Sequence, residues 1–363
     1  MSAPDRIGRS LRNLAGVLAL LPLCACTTLG YYAQAVSGQL ELMRSARPIA
    51  ERLEDPALTP ALKTRLARVL KIRDFASREL ALPDNGSYRA YADLGRPFVV
   101  WNVFAAPEFS VKPEQSCFPI AGCVSYRGWF SQQDAERQAA ERRARGVDVY
   151  VGGVPAYSTL GWFNDPVLNT FINYPEPELA RLLFHELAHQ QFYLGGDTVF
   201  NESFAVAVED EGVRRWLRRE GTPGQLKLYE DFQNRRREFI ALVLGYRARL
   251  EALYAEDISA DAKRARKAAA FAAMRVDYDA LKASSGWAGF AGYDRFFAQS
   301  PNNAHLASVA AYAELVPGFR ALLAEQGGDL AKFYAVVREL ARLPKAERDA
   351  RLGVKPAPRP AGS

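Results

Sequence analysis

The residue pattern with the clearest chemical meaning is His-Glu-Leu-Ala-His at positions 185–189. On a helix, positions i and i+4 lie on one face, one turn apart. His185 and His189 can therefore bind one Zn²⁺, and Glu186 between them can hold the attacking water. A solvent-exposed helix that carries these residues by chance is the alternative, but the chain has 3 histidines in all and two of them stand here. The motif predicts a zinc hydrolase.

A third zinc ligand is expected to be a carboxylate on a nearby element. Glu202 stands 13 residues after His189, within Asn-Glu-Ser-Phe-Ala at 201–205. Three protein ligands leave an open zinc position for water, as a catalytic site requires. Glu209 follows seven residues later on the same face of the predicted helix. It either accepts a hydrogen bond from a ligand imidazole or is an exposed charge, and the sequence leaves both interpretations open.

Length and charge restrict the class of protein. With 363 residues, 49% of them hydrophobic, the chain is long enough for one large domain or two ordinary ones. The formal net charge is +6, but beyond the N-terminus the basic residues are spread over helices that also carry Asp and Glu. Such a pattern is typical of solvated helix faces, so nucleic acid is not an expected partner.

The N-terminus has the features of an export signal. Three arginines in the first 12 residues precede an apolar run at 14–23, which is too short to span a bilayer as a mature helix. The run ends in Leu-Cys-Ala-Cys at 23–26, which resembles the lipobox of bacterial lipoproteins. This resemblance predicts a signal peptide at 1–25, lipidation of Cys26, and a protein anchored to a membrane of the bacterial cell envelope and facing the periplasm. An ordinary secretory signal cleaved nearby is the alternative.

Two further cysteines, Cys117 and Cys123, stand six positions apart. An even pair in an exported chain predicts a disulfide that closes a small loop. A metal site at these cysteines is not expected, because no other Cys and no His lies close by in sequence.

The remaining pattern predicts an α+β fold that is predominantly helical, with a small sheet and a helical C-terminal part. Short apolar runs predict strands at 98–104, 124–130 and 147–151. The last of them is either a core strand or an edge strand that pairs with an extended peptide substrate. The predicted parts of one domain over 26–350 are N-terminal helices and sheet at 26–172, zinc helices at 173–220, and a helical hairpin with C-terminal helices at 225–350, followed by a disordered tail at 351–363.

The zinc motif, with Asn-Glu opening the next apolar helix, resembles the gluzincin type of zinc peptidase. It is similar to the large zinc aminopeptidases, although the ligand spacing is shorter here and their Gly-x-Met-Glu-Asn strand is missing. Nearly the whole mature chain also resembles a bacterial family labelled "putative aminopeptidase", whose members are predicted lipoproteins. The stretches that carry this second resemblance are 117–123, 126–128, 156–163, the zinc motif, 302–304 and Tyr312.

The resemblance implies a gluzincin-like core, one Zn²⁺, peptide substrates and aminopeptidase activity. An aminopeptidase needs an acidic group near zinc to hold the substrate α-ammonium, and Asp148, Asp165 and Glu209 are the candidates. Endopeptidase action is the first alternative. A catalytically silent envelope protein that binds a partner is a second, although a structural zinc site has no need of Glu186. A hydrolase of non-peptide amides is a third.

A hydrogen-bond donor must also stabilise the oxyanion that develops during hydrolysis. Tyr312, Tyr157, His305 and Tyr293 are the candidates. Tyr312 is favoured, because in gluzincins this group comes from the helical part after the ligands. Packing with a satisfied hydroxyl is the alternative for each tyrosine.

Overall fold

The computed structural model describes residues 30–118, 122–287 and 289–353. The chain divides into two units after Ser45. The described part of the first unit is a helix over residues 30–45, α1. The signal peptide predicted at 1–25 and Cys26 lie outside the described residues. The structure is 61% helical with small sheets, which confirms the prediction of a predominantly helical α+β fold.

Eight short strands form three small sheets in the described part of the second unit. They are β1 (Arg47–Pro48), β2 (Ala90–Ala92), β3 (Val100–Ala106), β4 (Ser116–Phe118), β5 (Gly122–Val124), β6 (Arg127–Trp129), β7 (Asp148–Val154) and β8 (Val167–Leu168). The strand orders are β1-β2-β8, β6-β3-β7 and β4-β5. In the second sheet β3 pairs antiparallel with both neighbours, so β7 is an edge strand.

Twelve helices of the same unit surround these sheets within the described residues. They are α2 (Ile49–Glu54), α3 (Pro60–Leu80), α4 (Gln132–Arg143), α5 (Glu176–Gln191), α6 (Thr198–Glu220), α7 (Pro223–Ala255), α8 (Ala260–Ala283), α9 (Asp294–Ala298), α10 (Asn303–Ala311), α11 (Val316–Glu325), α12 (Leu330–Ala341) and α13 (Lys345–Arg351).

The strands differ from their predicted bounds where tertiary contacts intervene. The strand expected at 98–104 begins two residues later, at Val100. The run at 124–130 is divided between β5 and β6, which belong to different sheets. Between them, the amide of Ser125 donates to the hydroxyl of Thr198 on α6 and not to a neighbouring strand. One face of the sheet β6-β3-β7 packs Trp101, Val103 and Val149 against alanines of α4.

Helix α5 carries the zinc motif and lies within the segment predicted for the zinc helices, 173–220. Pro175 occupies its N-cap, and Glu176 and Glu178 stand in the first turn, where carboxylates favour the positive end of the helix dipole. The helix ends at Gln191 because Phe192 is extended, with φ at −157°. Helix α6 is buried along most of its length, which explains its continuous apolar run at 204–208.

The hairpin of α7 and α8 encloses a second core. Phe239 and Tyr246 of α7 pack with Met274 and Tyr278 of α8, and Trp287 from the following segment joins them. That segment, at 284–300, is rich in glycine and aromatic residues. Most of it is irregular, but it contains the short helix α9, and its aromatic residues fill the hairpin core.

The predicted start of the disordered tail, residue 351, is too early. Arg351 ends α13, and Leu352 is 5% exposed. The backbone of Leu352 lies close to Gly318, and a Cβ on Gly318 would stand 2.3 Å from the carbonyl oxygen of Leu352. Arg348 of α13 also donates to Asp197 at 2.8 Å, which ties this helix to the start of α6. Residues 354–363 lie outside the described residues.

Candidate metal centre

Helices α5 and α6 bring the three predicted ligands together. Nε2 of His185 lies 3.2 Å from Nε2 of His189 and 3.2 Å from Oε2 of Glu202. Nε2 of His189 lies 3.5 Å from the same carboxylate oxygen. Tetrahedral zinc ligands at bond lengths of about 2.0–2.1 Å stand about 3.3 Å from one another. The three buried side chains can therefore hold one metal ion, and two imidazoles with one carboxylate are a donor set that fits Zn²⁺.

Electrostatics at these ligands also favour a cation. Burial lowers the pKa of His185, but hydrogen bonds with Glu202 and Glu209 outweigh it and raise the pKa to about 10. Burial raises the pKa of Glu202, but the charge of His189 and the hydrogen bond with His185 bring it down to about 2. The carboxylate is thus held in its charged form, ready to pair with a positive charge, whether a proton on imidazole or a metal ion.

The turn between α5 and α6 sets the position of Glu202. The side chain of Asn201 stabilises the turn through two hydrogen bonds of 2.7 Å. Its oxygen accepts from the amide of Leu194, and its nitrogen donates to the carbonyl of Leu194. Asp197 caps α6 by accepting from the amide of Phe200. Gly196 has φ at +83°, a conformation that favours glycine. Asn201 therefore holds the start of α6 at a fixed position relative to the end of α5, and with it Glu202 relative to His189.

Glu209 is fully buried and orients His185. Its Oε2 lies 2.8 Å from Nδ1 of His185 and accepts from Arg181 at 3.0 Å, while Oε1 accepts from Arg236 at 3.1 Å. Burial alone would raise the pKa of Glu209, but Arg181 and His185 hold it well below its usual range. Of the two interpretations that the sequence left open, the structure has the hydrogen bond to a ligand imidazole. Such a bond fixes the tautomer and the orientation of a ligand histidine.

Glu186 differs from the other carboxylates of the site. It is 6% exposed, yet its carboxylate makes no hydrogen bond to any described residue. Burial raises its pKa, and the neighbouring His185 and His189 oppose that shift. A buried carboxylate with a raised pKa and free oxygens is suited to taking up and releasing a proton.

The four candidate oxyanion donors have different neighbours. The ring of Tyr312 lies 6.3 Å from that of His185, and its hydroxyl makes no hydrogen bond to a described residue. Burial raises the pKa of Tyr312, and the nearby carboxylate of Glu202 adds to this. Tyr293 stacks on Phe239 in the hairpin core. Of the other two candidates, Tyr157 packs on Phe130, and His305 packs on Tyr150.

Of the three acids considered for the substrate ammonium, two are ion-paired. Asp148 accepts from Lys267 at 2.6 Å, and Glu209 is held by its two arginines. Asp165 is 4% exposed, accepts hydrogen bonds from Thr159 and Gln190, and has no cationic partner among the described residues. Burial raises the pKa of Asp165 to about 6. The same carboxylate raises the pKa of Glu186, so the two charges lie in one electrostatic environment.

Sequence reasoning missed several residues of this region. Tyr88 has φ at +61° and a buried hydroxyl without a hydrogen-bond partner among the described residues, and its pKa is raised by burial and then by Asp165 and Glu186. Nothing local in the sequence marks it. Tyr193 packs its ring 6.4 Å from that of His189. Arg181 stands four residues before His185 on α5, a helical spacing that could have pointed to it, whereas Tyr193 follows the end of α5.

Cys117 and Cys123 are joined by a disulfide and face each other across β4 and β5. This hairpin lies against the turn that follows the zinc motif. A Cβ on Gly122 would stand 2.5 Å from the amide nitrogen of Gly196. The disulfide therefore supports the turn from which α6 and Glu202 begin.

A family model described as "Putative aminopeptidase" matches residues 30–352, which include the metal-binding group and every described candidate discussed above. No curated protein and no solved structure matches the chain. Family membership indicates a peptidase that acts on peptide substrates. The chain belongs to the family described as putative aminopeptidases.

Proposed function

We propose that this protein is a membrane-anchored zinc metallopeptidase with a gluzincin-like core that removes residues from the amino termini of peptides. The observation that carries the proposal is the pairing of two features: three ligand atoms at the mutual distances of a tetrahedral zinc site, and a buried carboxylate beside them with no other hydrogen-bond partner in the described structure. A structural metal site has a use for the first feature but not for the second.

Bound Zn²⁺ would supply Lewis acidity that polarises the scissile carbonyl and lowers the pKa of water. His185, His189 and Glu202 would hold it, with Glu209 orienting His185. Glu186 takes a proton from the attacking water and passes it to the nitrogen of the leaving amine, so that it ends each cycle as a carboxylate. The hydroxyl of Tyr312 donates a hydrogen bond to the developing oxyanion.

Recognition of the amino terminus is assigned to Asp165. A carboxylate whose hydrogen-bond donors are all neutral keeps an uncompensated negative charge, and in a buried site this charge attracts a substrate α-ammonium strongly. Asp148 and Glu209 cannot play this part, since their charges are already balanced by Lys267 and by arginines. The exposed side of the edge strand β7 would align the extended peptide.

We expect peptides with a free amino terminus to be cleaved at least about tenfold faster, by kcat/KM, than the same peptides with an acetylated one. This ratio should fall as the pH drops through about 6, because Asp165 then becomes neutral while the substrate ammonium, with a pKa near ~8, stays charged. The measurement is kcat/KM for the matched pair between pH 5 and 8. The acetylated peptide reports the other titrations of the enzyme, which cancel in the ratio; below about pH 7 the substrate ammonium stays charged, so the change there reports Asp165.

Asp165→Asn is the matched variant for this experiment. Its ratio should be close to one and should not change with pH, because an amide carries no charge. Equal cleavage of both peptides by the wild type would instead favour an endopeptidase. A wild-type ratio that stays constant from pH 8 to 5 would remove Asp165 from ammonium recognition.

Anchoring to the cell envelope is part of the proposal. The Cys117–Cys123 disulfide supports export to an oxidising compartment, where such bonds persist. We expect Cys26→Ser to lose fatty-acid labelling and to leave the membrane fraction in cells, because one modified cysteine carries the anchor. Cys24→Ser is the control and should be labelled as the wild type is. Labelling of Cys26→Ser with fatty acid would show that the lipobox is assigned to the wrong residue.

A further inference from the structure

A cavity of about 310 Å³ lies between the sheet β6-β3-β7 and helices α7 and α10. An apolar cavity of about 150 Å³ in another protein holds one benzene molecule. The cavity here therefore has room for an aromatic side chain and for a polar group at its end. Its wall is rich in aromatic rings, which are those of Phe104, Tyr150, Phe239, Tyr293 and Tyr312.

Two links connect this cavity with the metal-binding group. Tyr312 lines the cavity, and its ring is stacked 6.3 Å from that of His185. Arg236 also lines the cavity and donates from Nη1 to Oε1 of Glu209. The second oxygen of that carboxylate, Oε2, contacts Nδ1 of His185. A side chain in the cavity would thus belong to a substrate residue next to the scissile bond.

The floor of the cavity depends on a glycine. Gly152 stands two residues after Tyr150 on β7, so both face the same side of the sheet. A Cβ at Gly152 would approach the ring of Tyr150 to 3.1 Å, closer than ordinary van der Waals contact. With glycine here, the strand leaves space where a side chain would otherwise stand.

Charge decides which side chains this cavity can take. Arg236 is the charged residue among those that line it. Its hydrogen bonds to described residues use Nη1 alone, whereas a guanidinium has five N–H donors. A lysine or arginine side chain would be buried beside a like charge, which is costly. An aromatic ring gains from the apolar wall and from contact with the guanidinium, and a phenol oxygen can accept a hydrogen bond from it.

We propose that this cavity is the pocket for a large uncharged aromatic side chain, Phe, Tyr or Trp, on a residue adjoining the scissile bond, and that Arg236 excludes basic side chains from it. The proposal deepens the function proposed above and rests on it. Arg236 and Tyr312 act here as residues that determine specificity.

The first test is a set of matched short peptides that differ at one position flanking the cleaved bond, with Ala, Phe, Tyr, Glu or Lys in turn. We expect Phe and Tyr to exceed Ala in kcat/KM by about tenfold or more at one of the two positions, and Lys to fall below Phe by about 100-fold. A preference for Glu or Lys over Phe at that position would overturn the proposal. Absence of turnover with every peptide would contradict the proposed function instead.

Binding gives a readout that does not depend on turnover. Isothermal titration of zinc-loaded Glu186→Gln protein with the amides of Phe and Lys should show at least about tenfold tighter binding of the Phe compound. Equal affinity for the two amides would overturn the pocket assignment even if the enzyme is active.

The second test fills the cavity. Ile240 of α7 lines it, whereas Val276 of α8 is 67% exposed on the protein surface. Ile240→Trp should abolish the preference for Phe over Ala, and Val276→Trp should leave this preference and kcat/KM for the Ala peptide unchanged. Val309→Phe fills the same cavity from α10 and serves if the first variant does not fold by circular dichroism. An unchanged Phe preference in a folded filling variant would place the aromatic side chain elsewhere.

Discussion

Glu186→Gln is expected to lower kcat by about 100-fold to 10,000-fold, the range in which a positioned general base contributes. Glutamine has nearly the same shape but cannot take up a proton. Because the Glu186 carboxylate is hydrogen-bonded to no described residue, the substitution should break no contact of the fold. The measurements are kcat with an unblocked peptide and zinc content by elemental analysis, which should stay at one ion per chain.

The control for this variant is Glu211→Gln. Glu211 lies on α6 and is paired with Arg215, away from the ligand atoms. Its activity should match the wild type. Wild-type turnover by Glu186→Gln would remove Glu186 as the base, and loss of zinc from it would point to a role in metal binding.

Glu202→Ala is expected to weaken zinc binding by more than about 100-fold, because it removes one of three protein ligands, whereas losing a group that only orients a ligand costs about 10- to 100-fold. In the wild type, zinc at 100 times its Kd should raise the free energy of unfolding by about 2.7 kcal/mol. The variant should lack this stabilisation. Thermal unfolding with and without zinc, together with competition against a chelator of known affinity, measures both quantities.

Glu209→Gln separates the two carboxylates of α6. It should retain one zinc ion at an affinity reduced about 10- to 100-fold, because the amide oxygen can still accept from Nδ1 of His185. Its folding is checked by circular dichroism, since Glu209 also forms ion pairs with two arginines. Full zinc occupancy in Glu202→Ala together with loss in Glu209→Gln would transfer the third ligand position to Glu209.

Local rules were sufficient to predict the parts of the site that depend on helical geometry. His185 and His189 share a face because they are four residues apart, and the cap of α6 depends only on Asp197 and the amide three residues later. Glu202 could be predicted as the third ligand because it stands near the start of the next helix, which only a short connecting turn separates from α5. These relations span few residues, so the backbone geometry of one element or one turn decides them.

Tertiary packing decided the rest, and the reason is distance along the chain. Tyr312 lies more than 120 residues beyond His185, and Arg236 reaches Glu209 from the helical hairpin, 27 residues further along the chain. Three acids looked alike as ammonium sites until the fold paired Asp148 with Lys267 and left Asp165 among neutral donors. Which charges are neutralised, and which cavity opens beside a ligand, depends on how separate elements pack, and residue types and spacing carry no direct record of that packing.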